Sequence, residues 1–66
     1  MYEINTHFLN KWTGHEIIKN EIADTFAQAL NAFGIYVADP ECISCLVTER
    51  TDSYAEITIL SYTPHG

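Results

Sequence analysis

The sequence predicts an α+β domain in which one long helix packs on one face of a small three-stranded sheet, in the order strand, helix, strand, strand. Three observations carry this. Residues 2–8, YEINTHF, alternate apolar and polar, the period of a half-buried strand. Residues 13–33 combine start signals of a helix with an apolar stripe at i, i+3 and i+4. Residues 42–50 and 54–62 are rich in Ile, Val, Thr and Tyr and flank RTDS, the pattern of a hairpin.

The first strand places Tyr2, Ile4, Thr6 and Phe8 on one side and Glu3, Asn5 and His7 on the other. In the next segment Thr13 and Glu16 have the spacing of a capping box, and Trp12 and Ile17 that of a hydrophobic staple. Ile18, Ile22, Phe26, Ala29, Leu30 and Phe33 form one stripe, with Asn20, Asp24, Gln28 and Asn31 opposite. Gly34 stands at the expected left-handed C′ position, followed by apolar Ile35. The predicted helix spans residues 14–33, about 30 Å at 1.5 Å per residue. A competing parse makes EIIKNEI a strand and starts a shorter helix after a cap at Asp24 or Thr25. It yields two strands, a helix, then two strands, and leaves the Thr13–Glu16 and Trp12–Ile17 spacings as coincidences.

Asp39-Pro40 marks a turn, because proline disfavours a helical residue before it. The simplest hairpin register uses Thr51-Asp52 as the loop and sets Val47 opposite Glu56 and Ile43 opposite Leu60. Moving the loop one residue along sets Glu49 against Glu56, a like-charge pair. Either register puts Cys42, Ser44, Leu46 and Thr48 with Ala55, Ile57, Ile59 and Ser61 on one face. The other face carries Ile43, Cys45, Val47 and Glu49 with Tyr54, Glu56, Thr58, Leu60 and Tyr62. The first face, with its smaller neighbours, is the expected seat of the helix.

Size and charge bound the function. A chain of 66 residues is one domain with a marginal core. Nine acids face only Lys11, Lys19 and Arg50, for a net charge of −6. Phosphate backbones and anionic membranes require clustered cations, so direct binding to nucleic acid or membrane is not expected. MYEINTHF has neither the basic nor the apolar part of a signal peptide, and no apolar run nears the ~20 residues of a membrane span. The expected compartment is the cytoplasm, where thiols stay reduced.

Cys42-Ile43-Ser44-Cys45 is the one familiar chemical spacing. In a regular strand its thiols point to opposite faces with Cα atoms about 10 Å apart, too far for a disulfide or a shared zinc. A mononuclear zinc site takes four ligands, and His7, His15 and His65 offer no second pair. A redox role would need the motif to open a helix. The pair reads as two small buried or half-buried thiols, with a metal-binding or redox module kept as an alternative. No catalytic triad, zincin pattern or phosphate loop is present. Neither enzymatic activity, cofactor nor small-molecule substrate is expected.

One helix covers one sheet face, so the other is left open. On the assignment above, the open face carries Val47, Glu49, Tyr54, Glu56, Leu60 and Tyr62, and these are the expected partner-binding residues. Tyrosine favours interfaces, and a large apolar patch on a monomer often marks an interaction site. The expected function is non-catalytic binding to a protein with a basic surface, in competition with nucleic acid. An obligate homodimer through the same face is the alternative. In size and charge alone the chain resembles the small acidic inhibitors that phages and mobile elements encode, anti-CRISPR proteins among them. No motif extends that likeness to a family.

Overall fold

A computed structural model describes residues 1–51 and 56–63. The chain is α+β, with strands β1 (Tyr2–Leu9) and β2 (Glu16–Ala23), helix α1 (Phe26–Val37), and strands β3 (Cys42–Arg50) and β4 (Glu56–Tyr62). The strands form one antiparallel four-stranded sheet in the order β2-β1-β3-β4. The expected three-stranded sheet under a 20-residue helix is thus corrected, and the parse with two strands, a helix and two strands holds.

The correction has a local cause. Residues 10–15 form a hairpin loop instead of a helix start. The Asn10 Oδ1 accepts the backbone N–H groups of Trp12 at 2.9 Å and Thr13 at 3.2 Å. The Gly14 N–H donates to the Asn10 carbonyl at 2.8 Å, and Gly14 has φ 73°, a conformation that glycine adopts at no steric cost. Thr13 spends its hydroxyl on the His15 N–H within this loop. Trp12 is 96 % exposed and Ile17 is exposed as well, so no staple forms. Ile17, Ile18 and Ile22 are β-branched and favour an extended chain. They pair with β1 in unbroken register from Leu9↔Glu16 to Tyr2↔Ala23.

The helix starts at Thr25, whose hydroxyl accepts the Gln28 N–H at 3.2 Å. The Gln28 side chain in turn accepts the Asp24 N–H at 3.2 Å. This reciprocal arrangement is close to a capping box, and an N-cap of this kind stabilises by about 1 kcal/mol. Gly34 lies inside the helix, not beyond its end. Asp39-Pro40 makes the stop: Asp39 N–H closes on the Tyr36 carbonyl, and the Asp39 carboxylate accepts the Glu41 N–H at 2.9 Å.

The core lies between the helix and β1 and β3. Ala29 of the helix belongs to one buried cluster with Ile4, Val47, Cys45, Cys42 and Ala23, and Phe8, Phe33, Tyr36, Val37, Leu60 and Tyr62 pack against it. Tyr2 contacts Phe26 and Phe8 contacts Tyr36, each with ring centroids 5.9 Å apart. Two register shifts shape the sheet. One, between His7 and Phe8, sets Phe8 against Cys42 and His7 against Ser44. The other, between Val47 and Thr48, brings Val47 opposite Leu60, Thr48 opposite Thr58 and Arg50 opposite Glu56. The expected hairpin register is therefore replaced. The observed one opposes unlike charges and avoids the Glu49–Glu56 pairing.

Candidate functional site: the helix-free face of the sheet

The central strand decides which face the helix covers. Registers Ile4↔Val47 and Thr6↔Cys45 put the apolar side of β1 level with Val47 and Cys45. The other side of β1 carries Glu3, Asn5 and His7, which a helix could bury only by stripping water from polar groups. The helix accordingly sits on the Val47 face. This reverses the expected assignment. Val47 is 0 % exposed, and Leu60 and Tyr62 are half-buried against the core. Glu49 stands level with Tyr2, on the same helix-bearing face. Tyr54 and the side chain of Glu56 lie outside the described residues. Val47, Glu49, Leu60 and Tyr62 therefore do not form an open surface.

The uncovered face is built from Glu16, Ile18, Asn20 and Ile22 of β2, Glu3, Asn5 and His7 of β1, and Ser44 and Leu46 of β3. Ile18 is 75 % exposed, Ile22 53 % and Leu46 36 %. Ile18 and Leu46 flank an open depression of ≈ 280 Å³, lined also by Asn5, Thr6, His7 and Ser44. Ligand pockets usually enclose about 300–1,000 Å³. The hollow is open to solvent and has apolar flanks.

Polar groups frame this hollow. The His7 Nε2 and the Glu16 carboxylate are 3.3 Å apart. Further along the same face the Glu3 carboxylate accepts the amides of Asn5 at 3.0 Å and Asn20 at 3.3 Å and pairs with the Arg50 guanidinium at 2.9 Å. The Asn5 amide first, with Asn20 and the Arg50 charge, holds the Glu3 carboxyl below the usual range despite partial burial. On the helix side, Tyr36 donates its hydroxyl to Glu21, which also pairs with Lys19 at 2.9 Å. These hydrogen bonds hold the Glu21 carboxyl low. Lys19 and Arg50 are thus paired with acids.

Cys42 and Cys45 are free thiols, both buried. Their predicted burial holds, but their separation onto opposite faces does not. The register shift at Phe8 adds a residue between them, so Cys42 lies opposite Phe8 and Cys45 opposite Thr6, both on the core side. The Cys45 Sγ lies 3.5 Å from the Thr6 hydroxyl, and the Cys42 thiol points to the Ser44 carbonyl at 3.5 Å. Burial, followed by the neighbouring Cys45, pushes the Cys42 thiol up, which disfavours the thiolate that metal binding and redox exchange both require. Among the described residues no three His, Cys, Asp or Glu side chains cluster as metal ligands.

Sequence reasoning missed Ile18, Ile22 and Leu46 as surface residues. The four-residue step between the two isoleucines also fits the helix stripe in which the sequence pattern places them. The signal available was Glu3-Asn5-His7, a polar row that shows which side of β1 faces water. No helix among the described residues is long and apolar enough to cross a membrane. No protein-family model, curated protein or solved structure matches the chain.

Proposed function

We propose that the chain is a small acidic, non-catalytic binding module that engages a protein with a basic surface through the helix-free face of its sheet. The observation that carries this reading is the exposure of Ile18, Ile22 and Leu46 on the uncovered face, with an open hollow between Ile18 and Leu46 and the acids Glu16 and Glu3 on the same face. Exposed apolar side chains with a charged rim are the usual anatomy of a protein interface. A net charge of −6, with Lys19 and Arg50 paired to acids, selects a partner of opposite sign. A partner whose basic surface normally holds nucleic acid would be occupied and inhibited.

Leu46→Ser tests the reading because Leu46 lies away from both sheet edges. A protein captured by the parent chain from its native host is purified and titrated against parent and variant. Hot-spot truncations cost ≥ 2 kcal/mol, so the variant should bind more than tenfold more weakly while keeping the parent's circular dichroism. Binding should also weaken steeply between 0.1 and 1 M salt, where the screening length falls from about 10 Å to about 3 Å. Parent-like affinity in Leu46→Ser, or an affinity flat with salt, defeats the proposal.

A further inference from the structure

We infer that β2 is a self-pairing edge, through which two copies of the chain join their sheets across a two-fold axis at Asn20. This stands independently of the partner-binding reading. The edge is open along its whole length. β2 pairs with β1 over eight successive positions without a bulge, and no proline interrupts it. Natural edges are usually blunted by bulges, proline or charged side chains, lysine above all. The opposite edge, β4, meets its neighbour through a register shift. On β2 the only cation, Lys19, is neutralised by Glu21 at 2.9 Å.

Backbone direction restricts the register. Asn10 N–H donates to the His15 carbonyl across the hairpin, and Leu9 N–H donates to Glu41 on the other side. Alternation of antiparallel bonding then turns the backbone groups of Ile17, Lys19 and Glu21 toward β1 and those of Glu16, Ile18, Asn20 and Ile22 outward. Across the new edge the backbone of an outward residue can bond only to that of another outward residue. The inward ones lie opposite each other between these bonded pairs, and only registers of this kind keep both helices on the same side of the sheet.

Side chains select among the registers that remain. With Asn20 opposite Asn20 of the second copy, Ile18 meets Ile22 and Ile22 meets Ile18 on the open face. On the helix side Lys19 meets Glu21, Glu21 meets Lys19, and Ile17 meets Ala23. Every central pair is apolar with apolar, amide with amide, or cation with anion. The like-charged Glu16 and Asp24 meet only at the ends. Shifting the two-fold to Lys19 opposes two lysines and sets Ile17 against Glu21. Shifting it to Glu21 opposes two glutamates and sets Ile18 against Asp24. The helix lies chiefly over β3 and β1, which leaves the β2 edge clear.

Sedimentation and amide exchange of the full chain test this. The parent should sediment at twice its 7.5 kDa chain mass. The amides of Ile18, Asn20 and Ile22 should gain protection as concentration rises, while those of Ile17, Lys19 and Glu21 are protected throughout. Lys19→Glu and Glu21→Lys should each weaken the dimer at least tenfold, because each sets like charges in register twice. Mixing the two variants restores both opposite-charge pairs and should restore the doubled mass. A parent of single-chain mass at millimolar concentration overturns the inference, as does a dimer in which the Ile18, Asn20 and Ile22 amides still exchange freely. A mixture of folded variants that stays monomeric also overturns it. If a variant unfolds, the exchange pattern of the parent decides alone.

Discussion

Glu3 shows what one side chain does for the open face. It gathers Asn5, Asn20 and Arg50, tying β1 to β2 and to the end of β3. Its carboxyl titrates below the ordinary range in the folded chain, and Glu21 does the same through Tyr36 and Lys19. An unfolded glutamate titrates near 4.3, so between that value and the lower folded one the unfolded chain binds more protons. The stabilisation is therefore present above about pH 4.3 and is lost as pH falls through the folded value. Denaturant midpoints should drop on acidification, and Glu3→Gln should flatten that drop. An acid limb of unchanged slope in the variant would show that Glu3 is not among its causes. Cys42 moves the other way, because burial favours its neutral thiol. Cys42 and Cys45 are both small core side chains, whereas strand alternation alone sets them on opposite faces.

At the scale of elements, two glycines separate loop from helix. Gly34 sits in the helix with ordinary backbone, and a Cβ there would meet nothing within 4 Å. Gly34→Ala should stabilise by roughly 0.5–1 kcal/mol, the usual helix-interior difference. Gly14 also has open space around it, but its φ is +73°. Gly14→Ala should therefore destabilise by roughly 1–2 kcal/mol through backbone strain alone. Thermal or urea unfolding of the two variants measures both signs. If Gly14→Ala proves neutral, the β1–β2 loop does not hold its left-handed turn. If Gly34→Ala is destabilising, Gly34 does not hold ordinary helical backbone.

For the whole molecule, the side of the sheet on which the helix lies sets the effect of every strand substitution. Val47, Leu60 and Tyr62 belong to the core or its margin, whereas Ile18 faces solvent. Val47→Ala removes two buried methyl groups and should cost roughly 2 kcal/mol, and Leu60→Ala a comparable amount. Ile18→Ser should change stability by about 0.5 kcal/mol or less. Urea midpoints compare the three directly. A robust Val47→Ala protein together with a strongly destabilised Ile18→Ser protein would place the helix on the opposite face. The same face choice leaves Ile18, Ile22 and Leu46 exposed while Leu60 and Tyr62 pack against the core.

Local chemistry alone determined the first strand, with Ile4 and Thr6 inward and Asn5 and His7 outward, the turn at Asp39-Pro40, the two C-terminal strands and the acidity. Each depends on neighbours close in sequence: alternation, a restricted backbone before proline, β-branched runs, and charge. Whether residues 16–23 are helix or strand was not decided at that range. Ile18 and Ile22 are four apart, a step that fits both a helical stripe and one side of a strand, and Thr13 and Thr25 both precede a cap-like pattern. Tertiary structure chose through β1, whose polar row cannot lie under a helix and whose free edge pairs with β2 at eight successive positions. The register shifts at Phe8 and Val47, and with them the shared face of Cys42 and Cys45, likewise arise only when distant strands align. Pairing energy between segments far apart in the chain is invisible to any local pattern, and here it decides which face of the sheet meets water.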